Sequence, residues 1–301
     1  MLRRDILIPM TRRYALLLCL SAPGVAQVRA TRVLDQSQPR RKAAPVQDSP
    51  VRWNPRPVFV GAPVLFKSKT FSGPATWLGK TIEFRPDGDN FSALAGVSLA
   101  QTPGSYPLIF GGERAEVTVT GHAYPSSTIT VPQKFVAPPK EIQAQIDKEV
   151  AIKQEVFGSS APERLWQGPF VSPANTRYTS SFGSRRVYNG KTRSVHQGLD
   201  YSAAIGTQVT AANSGRVVIA RPMYFEGGLV VIDHGESIFT LYMHLSEFLV
   251  KEGAAVDKGA TIAKTGSSGR VTGPHLHFGV RWQGLYLEPS TLLSLWHGEA
   301  A

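Results

Sequence analysis

The rhythm of its apolar residues is what most constrains this chain. Along most of the sequence they come in runs of three to five, each closed by Gly, Pro or Asp turn signals. Between residues 51 and 136 such runs are Pro57-Val58-Phe59-Val60, Val64-Leu65-Phe66, Thr81-Ile82-Glu83-Phe84, Leu108-Ile109-Phe110 and Ala115-Glu116-Val117-Thr118-Val119. The same pattern resumes after Leu165, in Arg216–Ala220, Leu229–Ile232, Ile238–Tyr242 and Leu276–Val280. Short runs with this punctuation predict strands. One interval departs from the rhythm: after Pro138-Pro139, Ile142, Ile146 and Val150, with Ile152 and Val156, recur at helical spacing with charges between them. With 301 residues the chain has room for two domains. The expected fold is therefore mainly β: an immunoglobulin-like β-sandwich over 51–136, a linking helix over 137–160, and a second, mainly β domain over 161–301. Gly253 to Ala263 is expected to form a tight hairpin.

Arg3, Arg4, Arg12 and Arg13 precede the apolar run Tyr14–Leu20 and the small-residue tail Ser21-Ala22-Pro23-Gly24-Val25-Ala26, the order of a secretory signal peptide. Residues 1–30 are read as that leader, cleaved after Ala26 or Ala30, and the Pro/Gln-rich residues 31–50 as a flexible tether. The apolar run is far short of the roughly 20 residues that span a bilayer. Cys19, the one cysteine, lies inside it, so the mature chain is expected to use no thiol, disulfide or cysteine ligand. The formal charge of +11 suggests a polyanion partner, but Met1–Lys42 alone hold nine Lys or Arg against two Asp. The remainder carries no basic block interleaved with aromatics, which argues against nucleic acid.

Chemistry concentrates in the C-terminal half. Six of the seven histidines follow residue 195, and five lie between His196 and His277. His275 and His277 are two apart in Gly273-Pro274-His275-Leu276-His277, so along a strand they share one face. His196 and Asp200 are four apart in His196-Gln197-Gly198-Leu199-Asp200, and the same parity holds across an extended or gently looped segment. An imidazole and a carboxylate that meet there, joined by one more histidine, make a tetrahedral N2O metal site with its fourth position open, which is the mark of catalytic zinc. His244 stands in Leu241-Tyr242-Met243-His244-Leu245. No nucleophile competes with this reading, because no serine sits in a G-x-S-x-G setting.

These segments, from about Trp166 to Leu293, resemble the lysostaphin-type, or LytM-like, zinc endopeptidases of bacterial peptidoglycan. The resemblance is carried by Thr179-Ser180-Ser181-Phe182-Gly183-Ser184-Arg185, Arg193–Asp200, Ile232-Asp233-His234-Gly235, Tyr242-Met243-His244-Leu245 and Thr265–His277, in the family's order. It implies that His196, Asp200 and His277 hold Zn2+ and that His244 and His275 are catalytic, taking the proton of the attacking water and steadying the oxyanion. Which of the two does which is left open. Arg185 and Asn189, on the loop before the ligand motif, are taken as substrate contacts. Asp233-His234-Gly235 is read as a turn or core element, and His122 and His297 as exposed. Where many relatives have Asp-Pro at the closing turn, this chain has Glu288-Pro289.

The resemblance to Gram-negative periplasmic members further implies an exported enzyme acting on peptidoglycan stem peptides. Its bond is expected to be a diaminopimelate-type cross-link, cut as a D,D-endopeptidase, with an interpeptide glycine bridge as runner-up. Domain order raises intramolecular inhibition by the N-terminal domain. Two other functions compete. A lipoyl or biotinyl carrier presents a lysine at a hairpin tip, but Lys258, in Asp257-Lys258-Gly259, lacks the usual neighbours. A non-catalytic cell-wall-binding or regulatory factor would lack turnover.

Overall fold

The computed structural model describes residues 49–190 and 192–296. The leader, nearly all of the tether, Cys19 and His297 lie outside the described residues. The N-terminal strands are β1 (Val51–Asn54), β2 (Val58–Phe59), β3 (Pro63–Ser68), β4 (Gly73–Trp77), β5 (Lys80–Asp87), β6 (Asn90–Gly96), β7 (Gly104–Phe110) and β8 (Glu113–Thr120). They run in the order β1-β3-β6-β5-β4-β7-β8-β2. The long strand β5 turns the corner, pairing with β4 over Lys80–Phe84 and with β6 over Arg85–Asp87. Alternate residues point inward, and Phe66, Trp77, Phe84 and Leu108 fill the core.

Strand β9 (Ser126–Ile129) follows, then helix α1 (Gln143–Gly158). The expected stripe on α1 is shifted. Val150 is exposed, and Glu149 takes the buried place, because its carboxylate accepts the backbone N–H of Tyr224 at 2.8 Å. Ile152, Val156 and Phe157 pack against Ile219, Met223, Leu229, Val231, Phe239 and Leu241, so the helix covers a sheet face. Among the described residues no helix is long and apolar enough to cross a membrane.

The C-terminal strands are β10 (Tyr178–Ser180), β11 (Arg185–Tyr188), β12 (Thr192–Val195), β13 (Leu199–Ser202), β14 (Gln208–Thr210), β15 (Gly215–Met223), β16 (Gly227–Asp233) and β17 (Ile238–Phe248), then β18 (Ala255–Val256), β19 (Thr261–Thr265), β20 (His275–Trp282) and β21 (Leu285–Leu287). The central sheet runs β10-β13-β20-β17-β16-β15-β18, with β21 on β20 and with β19 on β14 and β17. The hairpin expected over 253–263 does not pair on itself: β18 joins β15, while β19 joins β14 and β17. Its turn residues close a crossing between neighbours instead. A separate three-stranded sheet, β12-β11-β9, sets β9 in parallel beside β11.

One apolar core runs from the N-terminal strands into the C-terminal sheet. Leu287 packs so closely on Gly96 that a Cβ there has no room. Glu288, the departure at the closing turn, donates its N–H to Gly61 O at 2.9 Å and accepts from Thr291 Oγ1 at 2.6 Å. Glu236 is the polar knot between the halves. It pairs with Arg164 and with Arg85, both at 3.0 Å, and accepts from Trp166 Nε1 at 3.1 Å, while Arg164 also donates to Ser92 Oγ and O. Removing one partner of such an ion pair strands the other, at a cost of about 3 kcal/mol. Glu236→Ala is expected to lower unfolding stability by that amount in urea titration; an unchanged midpoint would show that the knot contributes nothing.

Candidate metal centre and active site

Three ligand atoms converge on one point. His196 Nε2 lies 2.9 Å from Asp200 Oδ1 and 3.0 Å from His277 Nδ1, and His277 Nδ1 lies 2.8 Å from Asp200 Oδ1. The sheet register produces this, since Asp200 on β13 stands directly opposite His277 on β20. His196 enters from the loop between β12 and β13. Gly198, within the same loop, lets the His277 ring close in where a Cβ would strike its Nε2 and Cε1. All three side chains are buried.

The chemistry of the donor set fits a cation. His196 Nδ1 lies 2.9 Å from the Ser181 carbonyl, an acceptor only, so it carries the proton and Nε2 presents a lone pair. That lone pair faces a carboxylate oxygen and a second imidazole nitrogen, which repel it unless a cation sits between them. Separations of 2.8–3.0 Å are near the edge length of roughly 3.3 Å that tetrahedral zinc bonds of about 2.0–2.1 Å imply. Burial works against charge on Asp200, but hydrogen bonds and charge from His196 and His277 outweigh it and hold the carboxyl well below its usual range. Burial also lowers His277.

The outer oxygen of Asp200 is held by Arg186, whose Nη2 donates to Oδ2 at 2.6 Å and to Ser180 Oγ at 2.7 Å. This leaves Oδ1 turned toward the histidines, the supporting role that carboxylate ligands commonly need. The sequence reading missed Arg186. Its signal was the doublet Arg185-Arg186, because alternation along a strand sends the two side chains to opposite faces.

His244 and His275 stand beside the cluster. Their ring centroids are 4.8 Å apart, and His244 lies 6.1 Å from His277 by the same measure. Each spends Nδ1 on a carbonyl, His244 on Ser268 O at 2.9 Å and His275 on Gly273 O at 2.8 Å, so each presents an Nε2 lone pair, that of His275 at 3.8 Å from Asp200 Oδ1. Burial, with the neighbouring histidines, pushes His244 down to about 3 and keeps it neutral. His244 also adopts a left-handed backbone, φ +66°, at a register shift of β17, which sets its ring off the strand's regular alternation.

Among the described residues no hydrogen bond links Arg185 or Asn189 to this cluster. Arg185 is exposed on β11. Asn189 holds the segment after β9: it accepts Val131 N–H and donates to Val131 O, both at 2.9 Å. His122 is exposed against Phe59 and Tyr124.

His234 is a fully buried core element, bridging Ser214 O at 2.7 Å and Thr240 Oγ1 at 2.8 Å under Phe170. Burial depresses it from 6.5 to about 4. Since the unfolded chain binds the proton more readily, this neutral histidine stabilises the fold above pH 6.5, and the contribution is lost as pH falls toward 4. A full shift is worth about 3 kcal/mol. His234→Gln is expected to be less destabilised than the parent by acidification across that window, read as Tm against pH; parallel curves would refute the assignment.

Residues 194–289 match Peptidase family M23. Over 103 residues the chain is 44% identical to peptidoglycan DD-endopeptidase ShyA of Vibrio cholerae, covering 34% of this chain and 24% of that protein. Over 114 residues it is 40% identical to DD-carboxypeptidase/endopeptidase Mpg of Neisseria meningitidis, covering 38% and 26%. The chain thus spans about a quarter of the length of the curated relatives it matches. A crystal structure of an M23 peptidase from Pseudomonas aeruginosa superposes with TM-score 0.61 at 22% identity, over 80% of this chain and 96% of that one, and so shares the fold. With the matched segment carrying His196, Asp200, His244, His275 and His277, the chain contains a peptidase family M23 domain over residues 194–289.

Proposed function

We propose that the protein is a zinc-dependent endopeptidase that hydrolyses peptide cross-links in peptidoglycan, as a D,D-endopeptidase outside the cytoplasm. The observation that carries this reading is the convergence of His196 Nε2, Asp200 Oδ1 and His277 Nδ1 within 2.8–3.0 Å of one another, beside two further histidines whose Nε2 atoms carry lone pairs. Bound by these three residues, zinc supplies Lewis acidity, acidifying a water and polarising the scissile carbonyl. The Nε2 lone pairs of His244 and His275 are placed to accept the proton of the attacking water, and the imidazolium N–H formed by that transfer steadies the charge that develops on the carbonyl oxygen. The neutral state of His244 suits it to taking that proton. Export is supported by the leader-like N-terminus, and the D,D bond by the activity named for ShyA, at 44% identity.

The test is loss of cross-linked muropeptides from purified sacculi. About one zinc per chain and cleavage that disappears in His277→Ala are expected. Zinc without cleavage would favour the regulatory-factor reading, and no zinc would sink the proposal.

Intramolecular restraint is supported by one contact: the side-chain amide of Asn189, taken as a substrate contact, is spent on Val131. Val131→Pro, which removes the N–H that Asn189 accepts but keeps the Asn189 side chain, is expected to raise turnover of sacculi if the contact restrains the site; unchanged turnover would remove restraint from the reading.

A further inference from the structure

The linking helix does more than join two sheets. Its inner face carries two ionisable residues, Glu149 and Lys153, one turn apart, and both grip the β15–β16 connection. Glu149 Oε2 accepts Tyr224 N–H at 2.8 Å and its Oε1 accepts from Gln145 Nε2 at 2.8 Å. Lys153 pairs with the carboxylate of Glu226, whose other oxygen is buried and has no partner among the described residues. The apolar contacts of Ile152, Val156 and Phe157 fix the helix on the sheet, and the Phe157 and Phe239 rings meet at 5.1 Å. Lys153 is thus a fixed anchor rather than a free surface charge.

That connection in turn holds His244 twice. Glu226 O accepts the backbone N–H of His244 at 2.9 Å, at the residue whose φ is +66°. A left-handed histidine is strained and persists only where its surroundings impose it. Gly227 meanwhile lies against Ser268 so closely that no Cβ fits, and Gly228 N–H donates to Ser268 Oγ at 2.9 Å. Ser268 is the residue whose carbonyl takes Nδ1 of His244. Phe225 O accepts Arg270 N–H at 2.8 Å, which ties the same loop from its far side. Backbone and ring of His244 are therefore both set by residues 224–228, and residues 224–226 are set by α1.

We infer that Glu149 and Lys153 are positioning residues for His244, so that the linking helix belongs to the hydrolytic apparatus. The inference rests on the reading that His244 acts in peptidoglycan hydrolysis. It makes a demand that simple linkage does not: weakening the helix grip must disturb His244 while leaving the His196, Asp200 and His277 site intact, because neither residue touches that site.

The experiment uses the full zinc-loaded chain with Lys153→Met and Glu149→Ala, and Lys153→Arg as the conservative control. Lys153→Met leaves the Glu226 carboxylate buried without its partner, so Lys153→Met/Glu226→Gln is read beside it, severing the tether without stranding a charge. The expected result is a fall in kcat on the order of tenfold, the scale at which small misplacements act, with KM and zinc content unchanged and Lys153→Arg restoring the rate. Long-range proton–nitrogen spectra of the histidine rings should show the His244 signals moving while those of His196 and His277 stay. Unchanged or increased kcat with unmoved His244 signals would overturn the inference, as would loss of zinc in step with loss of rate. If the parent chain cleaves no sacculi, the endopeptidase reading fails, yet the ring spectra still decide whether the helix positions His244.

Discussion

The site depends on a buried carboxylate that cannot stand alone. Asp200 brings negative charge into a place where desolvation opposes it, and the guanidinium of Arg186 meets its outer oxygen. Its remaining oxygen faces imidazole lone pairs, so the pocket is electrostatically incomplete until a cation binds. Strand pairing enforces that arrangement. Asp200 sits opposite His277, and Ser202 opposite His275, on adjacent central strands. A slip of one residue between β13 and β20 would turn one partner to the other face of the sheet and dissolve the site. The apolar residues on either side of His277, Leu276 and Phe278, both fully buried, lock the register through the core.

Much of this was legible in the sequence, for reasons that differ from residue to residue. The shared face of His275 and His277 followed from the two-residue period of a strand, and the strands themselves from turn punctuation. The identity of the third ligand rested on family resemblance, because nothing local in a sequence says which distant strand pairs with which. His244 was visible as a histidine but not as a left-handed one, since its geometry comes from a register shift between β16 and β17. The stripe of α1 was read one residue off because Glu149 is buried for its hydrogen bond, against the usual expectation for a carboxylate. Gly253 to Ala263 carried the turn chemistry of a hairpin, but tertiary pairing overrode it.

The joining of the two halves was illegible for a further reason. It is made by ordinary residues, Gly96 beneath Leu287 and Glu236 between Arg85 and Arg164, whose partners are 70 or more positions away. No pattern in either segment announces the other. What emerges is a core continuous across both sheets, with His244, His275 and His277 in strands that this core buttresses on one side and the linking helix on the other.

The parallel alignment of β9 with β11 bears on what the family's shared kernel means physically. The stretch common to the family, 194–289, begins partway through β12 and so omits Arg186, the Ser181 carbonyl, β9 and the helix. Sequence kinship therefore outlines the histidine and aspartate cluster, whereas the cooperative folding body is larger. Trimmed to the kernel, the chain would shed the strand beside the His196, Asp200 and His277 cluster and bare the apolar face around Ile219 and Phe239, becoming sticky rather than minimal. For anyone transplanting this chemistry into another scaffold, the natural seam lies upstream of Ser126.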